Sequence, residues 1–329
     1  MNRFIAYRRF SVLTLFVLSS ALFLMPAKAA DKPLEKVSVR LNWVPGAEHG
    51  FFYMGKAKGW FASEGIDLEI IAGSGSTVSV TTVGSGSTDF ALADGASVAR
   101  GWEVGVPIVV MSVLLKESPA SIYSRKSAGI ARITDLCGKR VGINLKSTTA
   151  AQYRAMIGLA KLPADCKIEE VSMSGGGSRE VLSNTVDAAV TFSYEDPVLL
   201  TVRGNEMNEI IASSFFKLYS LGLITNQTLV TKKRDLVDRF MKATNRSLEY
   251  AIANPKEGLD SFLKVAPEAN VDYEREKLAR FNKLLIADDA STRSLGKQDV
   301  KGWQASLDTM QKLSIVKSKI DPVGKFIPN

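Results

Sequence analysis

The chain has 329 residues, of which 46% are hydrophobic, 8% aromatic and 23% charged. This is the composition of an ordinary globular protein, so a disordered, collagen-like or coiled-coil chain is excluded, and the length suits one large or two ordinary domains. One histidine and two cysteines leave little room for a His-rich or Cys-rich metal site, and we expect neither a metal nor a cofactor.

The first segment, residues 1–29, has the pattern of a secretory signal peptide. Three arginines among the first nine residues precede an apolar run over 10–25, and small residues lead to Ala29. The pattern predicts cleavage after Ala29 and a periplasmic mature protein, because the run is short for a membrane anchor. The segment holds four of the 42 basic residues and no acid, so the net charge falls from +8 to about +4. That balance gives no reason to expect a nucleic-acid partner.

Beyond the signal segment, short strands alternate with helices. Strands are predicted at 37–41, 66–70, 89–93, 108–115, near Ile122, and at 141–143, 168–171 and 187–191. Helices are predicted at 50–58, 76–84, from Ala96, at 134–136, 148–162, 178–184, from Pro197, and at 232–254, 255–265, 273–286 and 297–313. This βα order predicts an α/β fold with mostly parallel sheets.

The two cycles of strands predict two lobes. We expect lobe 1 at residues 30–115 plus 220–329, with the C-terminal helices packed against it, and lobe 2 at 116–219. The chain would cross between them near 114–122 and 210–224.

An aromatic segment follows the first predicted strand. It contains Trp43 beside Asn42, and the sole histidine, His49. Ligands of open α/β sheets bind beyond the carboxyl ends of the strands, where a tryptophan can stack on a flat ligand. We therefore expect Trp43 to bind ligand, whereas Phe51 and Phe52 are expected in the core.

Three Gly/Ser/Thr loops each precede a predicted helix, at residues 73–77, 146–149 and 174–178. Free N–H groups at helix N-termini suit an anionic or strongly polar ligand group. The alternative is ordinary helix capping, which serine and threonine also favour. From these loops we expect ligand contacts by Ser76, Ser147, Thr148, Thr149 and Gly176.

Tyr194 and two acids follow a later strand. Tyr194 is expected to stack on the ligand or donate to it, and Glu195 or Asp196 to accept from a ligand amine. The alternative is that an acid caps the helix opened by Pro197.

Two further features concern chemistry. Cys137 and Cys166 would reach an oxidising compartment, so we expect a disulfide between them that closes roughly 30 residues, and the alternative is two buried thiols. No phosphate-binding loop, nucleophile elbow or dinucleotide fingerprint is present, so no catalytic residue is predicted.

Four stretches carry a family resemblance: LNWVPGAEHGFFYMGKAKGWFASEGIDLEII, TDFALADGASVARGWEVGVPIVVMS, ITDLCGKRVGINLKSTT and the run from Val186 to Pro197. They resemble periplasmic substrate-binding proteins of ABC importers, in the group similar to thiamine-pyrimidine-precursor synthases and related to sulfonate, nitrate and taurine binders. The resemblance implies a two-lobed clamshell, each lobe a mixed sheet flanked by helices. It also implies ligand-facing positions, namely Asn42, Trp43, His49, Asp94, Ser97, Ser147, Thr148, Thr149, Tyr194 and Glu195.

These features together predict the periplasmic solute-binding component of an ABC importer. The expected ligand is a small aromatic or heteroaromatic, pyrimidine-precursor-like solute. We expect the protein to be a monomer that delivers this ligand to an inner-membrane ABC permease. The resembling group also contains enzymes that use iron and a cysteine cluster, but this chain lacks the cluster and carries an export signal. The alternatives are an exported enzyme, a ligand sensor, or a binder of sulfonate- or nitrate-type anions.

Overall fold

A computed structural model describes residues 33–145, 147–286 and 295–328, and a compact unit begins at Leu34. The predicted signal peptide at 1–29 lies outside the described residues. Within those residues, no helix combines the length and the apolar character needed to cross a lipid bilayer.

The strands of the described residues form two five-stranded mixed sheets. The first sheet contains β1 (Glu35–Arg40), β2 (Ile66–Ile71), β3 (Phe90–Asp94), β4 (Ile108–Val113) and β10 (Leu221–Asn226), in the order β2-β1-β3-β10-β4. The second contains β5 (Ala120–Arg125), β6 (Arg140–Ile143), β7 (Glu169–Ser172), β8 (Ala188–Phe192) and β9 (Met207–Ile211), in the order β7-β6-β8-β5-β9.

Helices flank both sheets. They are α1 (Gly50–Ala57), α2 (Trp60–Ser63), α3 (Ser76–Gly84), α4 (Gly95–Glu103), α5 (Thr148–Leu159), α6 (Ser178–Leu182), α7 (Asp196–Val202), α8 (Gln227–Lys232), α9 (Arg234–Ala253), α10 (Pro255–Leu263), α11 (Val271–Leu285) and α12 (Val300–Lys312). Short 3-10 turns lie at Ala47–His49, Lys126–Ala128, Ile133–Leu136 and Ala212–Ser214. The expected α/β architecture of two mixed, helix-flanked sheets is confirmed.

The C-terminal helices pack where their apolar spacing predicts. In α9, Leu236, Phe240 and Ala243 share one buried face, and the Phe240 ring stacks on Phe90 of β3 with centroids 3.8 Å apart. Helix α11 differs, because it packs on α10 and also on α7 beside the second sheet. Helix α11 therefore contacts helices that belong to different parts of the chain, α10 in the C-terminal part and α7 after β8.

The expectation of mostly parallel sheets is wrong in one respect. β5 runs antiparallel to β8 and β9, and β10 runs antiparallel to β3 and β4. Each is the first strand after the chain passes from one sheet to the other. Residues 114–119 cross between the sheets without a helix, and Ala120 at the start of β5 pairs with Phe192 at the end of β8, so β5 runs against the parallel strands β6 and β8. The strands β9 and β10 and the helices α2 and α8 were not predicted.

Cys137 and Cys166 are joined in a disulfide, with an S–S distance of 2.02 Å and a sequence separation of 29. The bridge ties the end of the 3-10 turn Ile133–Leu136 to the segment that leads into β7.

Candidate functional site

A cavity of about 670 Å³ lies between the two sheets, bounded by loops that follow the carboxyl ends of β1, β2, β6, β7 and β8. A volume of this size is typical of small-molecule sites. The lining residues are Asn42, Trp43, Ser74, Gly75, Ser76, Thr77, Asn144, Leu145, Ser147, Thr148, Thr149, Ser172, Met173, Ser174, Gly175, Gly176, Val190, Thr191, Phe192, Glu195 and Asp196.

The first-sheet wall is built by two loops bound to each other. The Gly73 and Gly75 N–H groups donate to the carbonyl oxygens of Trp43 (2.9 Å) and Asn42 (3.0 Å). A Cβ at residue 73 would collide with the backbone of Leu41 and Trp43, and Gly75 has φ +121°, so both positions favour glycine. The Trp43 side chain stays 37% exposed at the cavity rather than entering the core.

His49 lies behind Asn42 and outside the cavity wall. Its Nδ1 accepts from the Gly46 N–H (3.2 Å), so the ring proton sits on Nε2, which donates to Asn42 Oδ1 (3.0 Å). Burial first, and then the charge of Lys277, lower the pKa of His49 to about 3. The ring is therefore neutral and makes no ion pair with Glu48, although the two lie 3.5 Å apart. This geometry braces Asn42 and leaves the Asn42 amide N–H groups for a ligand.

Asp94 and Ser97 also lie outside the cavity wall. The Asp94 carboxylate caps α4 by accepting from the Ala96 N–H (2.9 Å) and also accepts from the Ser220 hydroxyl (2.8 Å). Burial raises the Asp94 pKa. The Asp94 backbone N–H donates to Ser76 Oγ (3.0 Å), and Ser76 does line the cavity. Asp94 is thus linked to the cavity by the hydrogen bond from its backbone N–H to Ser76, while its carboxylate caps helix α4.

The second-sheet wall includes the N-terminus of α5. Ser147 caps this helix by accepting from the Thr149 N–H (3.2 Å), and Ser147, Thr148 and Thr149 all line the cavity. The capping alternative and the cavity-lining expectation therefore hold together at this loop. Gly176, before the short helix α6, lines the cavity as well.

Tyr194 was expected on the cavity wall, and the structure places Phe192 there instead. The chain turns after β8, which ends at Phe192, and Tyr194 is carried into the core with only 2% exposure. Its ring packs edge-on against Phe281 of α11 (5.3 Å) and stacks behind Phe192 (5.7 Å). On the second-sheet wall, the aromatic surface open to the cavity is therefore Phe192, supported by Tyr194.

Two carboxylates line the cavity. Glu195 Oε2 accepts from the Tyr273 hydroxyl (3.0 Å) and pairs with Lys277 Nζ (3.2 Å). Asp196 Oδ1 accepts from the Ser178 N–H at the start of α6 (3.2 Å), and burial raises the Asp196 pKa. Among the described lining residues there is no lysine or arginine. The Glu195 and Asp196 side chains place hydrogen-bond acceptors at this part of the wall, which suit neutral or cationic ligand groups.

Sequence reasoning missed the wall residues Asn144, Leu145, Met173 and Phe192, and within the predicted loop 73–77 it did not name Ser74 and Thr77. Each lies within a few residues of a predicted strand end, which was the available signal. Leu145, 54% exposed, adds an apolar surface to the second-sheet wall.

The chain is similar in sequence to several known proteins. The family model described as NMT1/THI5 like matches residues 46–258. The riboflavin-binding protein RibY of Chloroflexus aurantiacus is 24% identical over 314 residues, covering 92% of this chain and 89% of that protein. The formylaminopyrimidine-binding protein of Halalkalibacterium halodurans is 26% identical, covering 83% of this chain and 84% of that one.

A third relative has an enzyme name. The 4-amino-5-hydroxymethyl-2-methylpyrimidine phosphate synthase of Candida albicans is 24% identical, covering 74% of this chain and 76% of that one. Among solved structures, the alkanesulfonate-binding protein SsuA from Xanthomonas axonopodis pv. citri, bound to MOPS, superposes with a TM-score of 0.69 at 12% identity, covering 92% of this chain and all of that one. At that identity the likeness shows the fold, which is that of periplasmic binding proteins.

Proposed function

The chain belongs to the NMT1/THI5-like family, and from this premise we propose that it is the periplasmic solute-binding component of an ABC importer. It captures a small aromatic or heteroaromatic, pyrimidine-precursor-like solute in the cavity between the two sheets. The relatives named for binding riboflavin and formylaminopyrimidine support a nitrogen heterocycle as the ligand class.

The observation that carries this proposal is the apolar and aromatic surface on both walls of the cavity. Trp43 contributes it from the first-sheet wall, and Phe192 and Leu145 from the second. A flat ring lying between these walls buries both of its faces, and aromatic stacking adds about 0.5–1.5 kcal/mol beyond the burial of area. Polar ring substituents meet the Asn42 amide and the hydroxyls at the start of α5.

The charge of the wall supports a neutral or cationic ligand over an anion. Glu195 and Asp196 line the cavity, and the side-chain donors among the described lining residues are all uncharged amide, indole and hydroxyl groups. A ligand amine or ring N–H can donate to Glu195, whereas a sulfonate would be repelled by it. The sulfonate alternative is therefore the less favoured one, although α3 and α5 both begin at the cavity.

Transport follows from closure around the ligand. A ligand that contacts both walls binds the closed arrangement better and shifts the population towards it. The exported, monomeric protein then delivers its ligand to an inner-membrane permease that recognises the closed form. The leader-like pattern at residues 1–29 supports export.

The test is direct identification of the ligand. Protein purified from the periplasm of its expression host is denatured and the released small molecules are identified by mass spectrometry. The stripped protein is then titrated by calorimetry with riboflavin, with 4-amino-5-hydroxymethyl-2-methylpyrimidine and with MOPS. Binding of one of the two ring compounds without MOPS is the expected result. Binding of MOPS alone would contradict the heteroaromatic ligand class.

The synthase relative motivates one alternative, an exported enzyme. Both ring nitrogens of His49 are engaged within the protein, to Gly46 and Asn42, and the ring is buried, so it lacks a nitrogen free to react. Mass-spectrometric assay of the incubated heterocycle is expected to return it unchanged. Turnover that disappears in His49→Ala would overturn the binding-protein assignment.

A further inference from the structure

A buried ammonium group pairs with two carboxylates, one in a segment that follows a strand of the first sheet and one in a segment that follows a strand of the second. Lys277 on α11 is 3% exposed, and its Nζ lies 2.9 Å from Glu48 Oε2 and 3.2 Å from Glu195 Oε2. Glu48 follows β1 of the first sheet and Glu195 follows β8 of the second. Lysine is almost never buried to this extent unless it is paired, so its position indicates a specific partner arrangement.

One positive charge serves several acids in this cluster. Burial by itself lowers the pKa of Lys277, but the Glu195 and Glu48 carboxylates outweigh burial and hold it well above its ordinary value. Other titratable groups facing the cluster are the neutral His49, Tyr194, Asp196 at the start of α7, and Tyr273 and Glu274 on α11. None of these supplies a second cation, so the charge of Lys277 is divided between Glu48 and Glu195.

The contacts of Glu195 are one-sided. Both the Tyr273 hydroxyl and Lys277 Nζ meet Oε2, and Oε1 has no hydrogen bond among the described residues. Glu195 is also a lining residue of the cavity. Lys277 and Tyr273 therefore fix one oxygen of a carboxylate whose other oxygen is left for the cavity.

We propose that Lys277 is the positioning residue that keeps Glu195 charged and oriented into the cavity, and that it thereby sets the ligand class. The inference rests on the proposed function and makes it more specific. The ligand presents an N–H donor, neutral or cationic, at Glu195 Oε1, and anions are rejected there. Because Lys277 itself does not line the cavity, it acts only through Glu195.

The first experiment needs no ligand. The carboxyl carbons of ¹³C-glutamate-labelled protein are followed by NMR against pH, with the Glu195 signal assigned from Glu195→Gln. In Lys277→Met the Glu195 midpoint is expected to lie higher than in the wild type, because a buried carboxylate loses its cation. An unchanged midpoint would overturn the proposal.

Arg280→Met is the matched control. Arg280 lies on the same helix and also pairs with a second-sheet carboxylate, Glu209 on β9, at 2.8 Å. It makes no contact with Glu195, so its loss is expected to leave the Glu195 midpoint in place. If Lys277→Met does not fold, the double variant Glu48→Gln/Lys277→Met, which removes the uncompensated acid, is titrated instead with the same expectation.

Affinity measurements against pH distinguish the proposed role of Lys277 from the proposed ligand-binding function. With riboflavin and 4-amino-5-hydroxymethyl-2-methylpyrimidine as probes, Lys277→Met is expected to bind about tenfold or more weakly, and the loss of affinity is expected to shrink as the pH is raised. A loss of affinity that is equal at every pH would contradict the positioning role while leaving the binding function standing. Failure of both probes on the wild type, with the NMR shift intact, would contradict the proposed ligands and leave the role of Lys277 standing.

Discussion

Trp43 and Tyr194 both follow strands, yet they end in different surroundings. Trp43 is held at the cavity by a loop that hydrogen-bonds to its backbone, whereas Tyr194 is drawn into the core against Phe281. A side chain beyond a strand end can turn either way, and its neighbours in the fold decide which.

Trp43→Ala is expected to lower affinity for the ring probe by about 1–3 kcal/mol, or roughly tenfold to 200-fold, since the residue offers a stacking surface and little core packing. Calorimetry gives the affinity and thermal unfolding the stability. Trp60→Ala is the control, because Trp60 packs on Tyr250 and Arg246 and does not line the cavity. Normal affinity with a large loss of melting temperature in Trp43→Ala would make Trp43 a core residue.

His49 predicts a pH dependence of stability. Its pKa is about 3 in the fold against an ordinary value of 6.5, so the unfolded chain binds a proton that the folded chain does not. The free energy of unfolding therefore falls as the pH drops from about 6.5 towards 3, by up to about 1.4 kcal/mol per pH unit from this group.

The measurement is denaturant unfolding of the wild type and His49→Gln across that range. Subtracting the two curves removes the carboxylates that titrate in both proteins. A difference that stays flat between pH 6.5 and 4 would show that His49 is not buried as a neutral ring.

Among the elements, the cavity depends on the backbone hydrogen bonds that join the loop 73–75 to Asn42 and Trp43 after β1. Gly73→Ala is expected to destabilise the fold by about 1–3 kcal/mol, because the added Cβ meets backbone atoms of Leu41 and Trp43 that cannot rotate away. It should weaken ring binding as well, since Asn42 and Trp43 are displaced together.

The control for this change is Gly158→Ala. Gly158 lies inside α5, where a Cβ would meet nothing within 4 Å, so this variant is expected to be as stable as the wild type or more stable by up to about 1 kcal/mol. Equal stability of the two alanine variants in chemical unfolding would contradict the close approach at residue 73.

The Cys137–Cys166 disulfide links two elements of the second-sheet region. Thiol titration of the denatured, unreduced protein is expected to find no free thiol at Cys137 or Cys166. Replacing both by alanine should lower the free energy of unfolding by about 2–5 kcal/mol, since the unfolded chain is no longer cross-linked. Two titratable thiols per chain would refute the bridge.

For the whole molecule, we predict cleavage after Ala29 on export. Intact-mass measurement of the periplasmic fraction should give a chain that begins at residue 30, because the basic, apolar and small-residue pattern is what a signal peptidase reads. A full-length chain retained in the membrane fraction would contradict it. Changing Ala29 to a bulky residue is the control and should block cleavage.

The sequence alone determined most of the elements and their order. Alternating apolar residues placed β1, β2, β3 and β6, and the spacing of Leu236 and Phe240 placed α9, because these patterns depend on local periodicity. The strands β9 and β10 were missed, and periodicity did not reveal the antiparallel strands, since a strand inserted after a crossing takes its direction from its neighbours.

At the site, strand ends could be recognised from the sequence, and they brought Asn42, Trp43, Ser76, Ser147 and Glu195 to one cavity. Only the tertiary structure decided that Phe192 rather than Tyr194 faces it, and that His49 acts through Asn42. The clearest case is Lys277, more than 200 residues from Glu48 along the chain and 2.9 Å from it in the fold. Local patterns carry no record of such a contact, because long-range pairing arises only when the packed helix brings the two charges together.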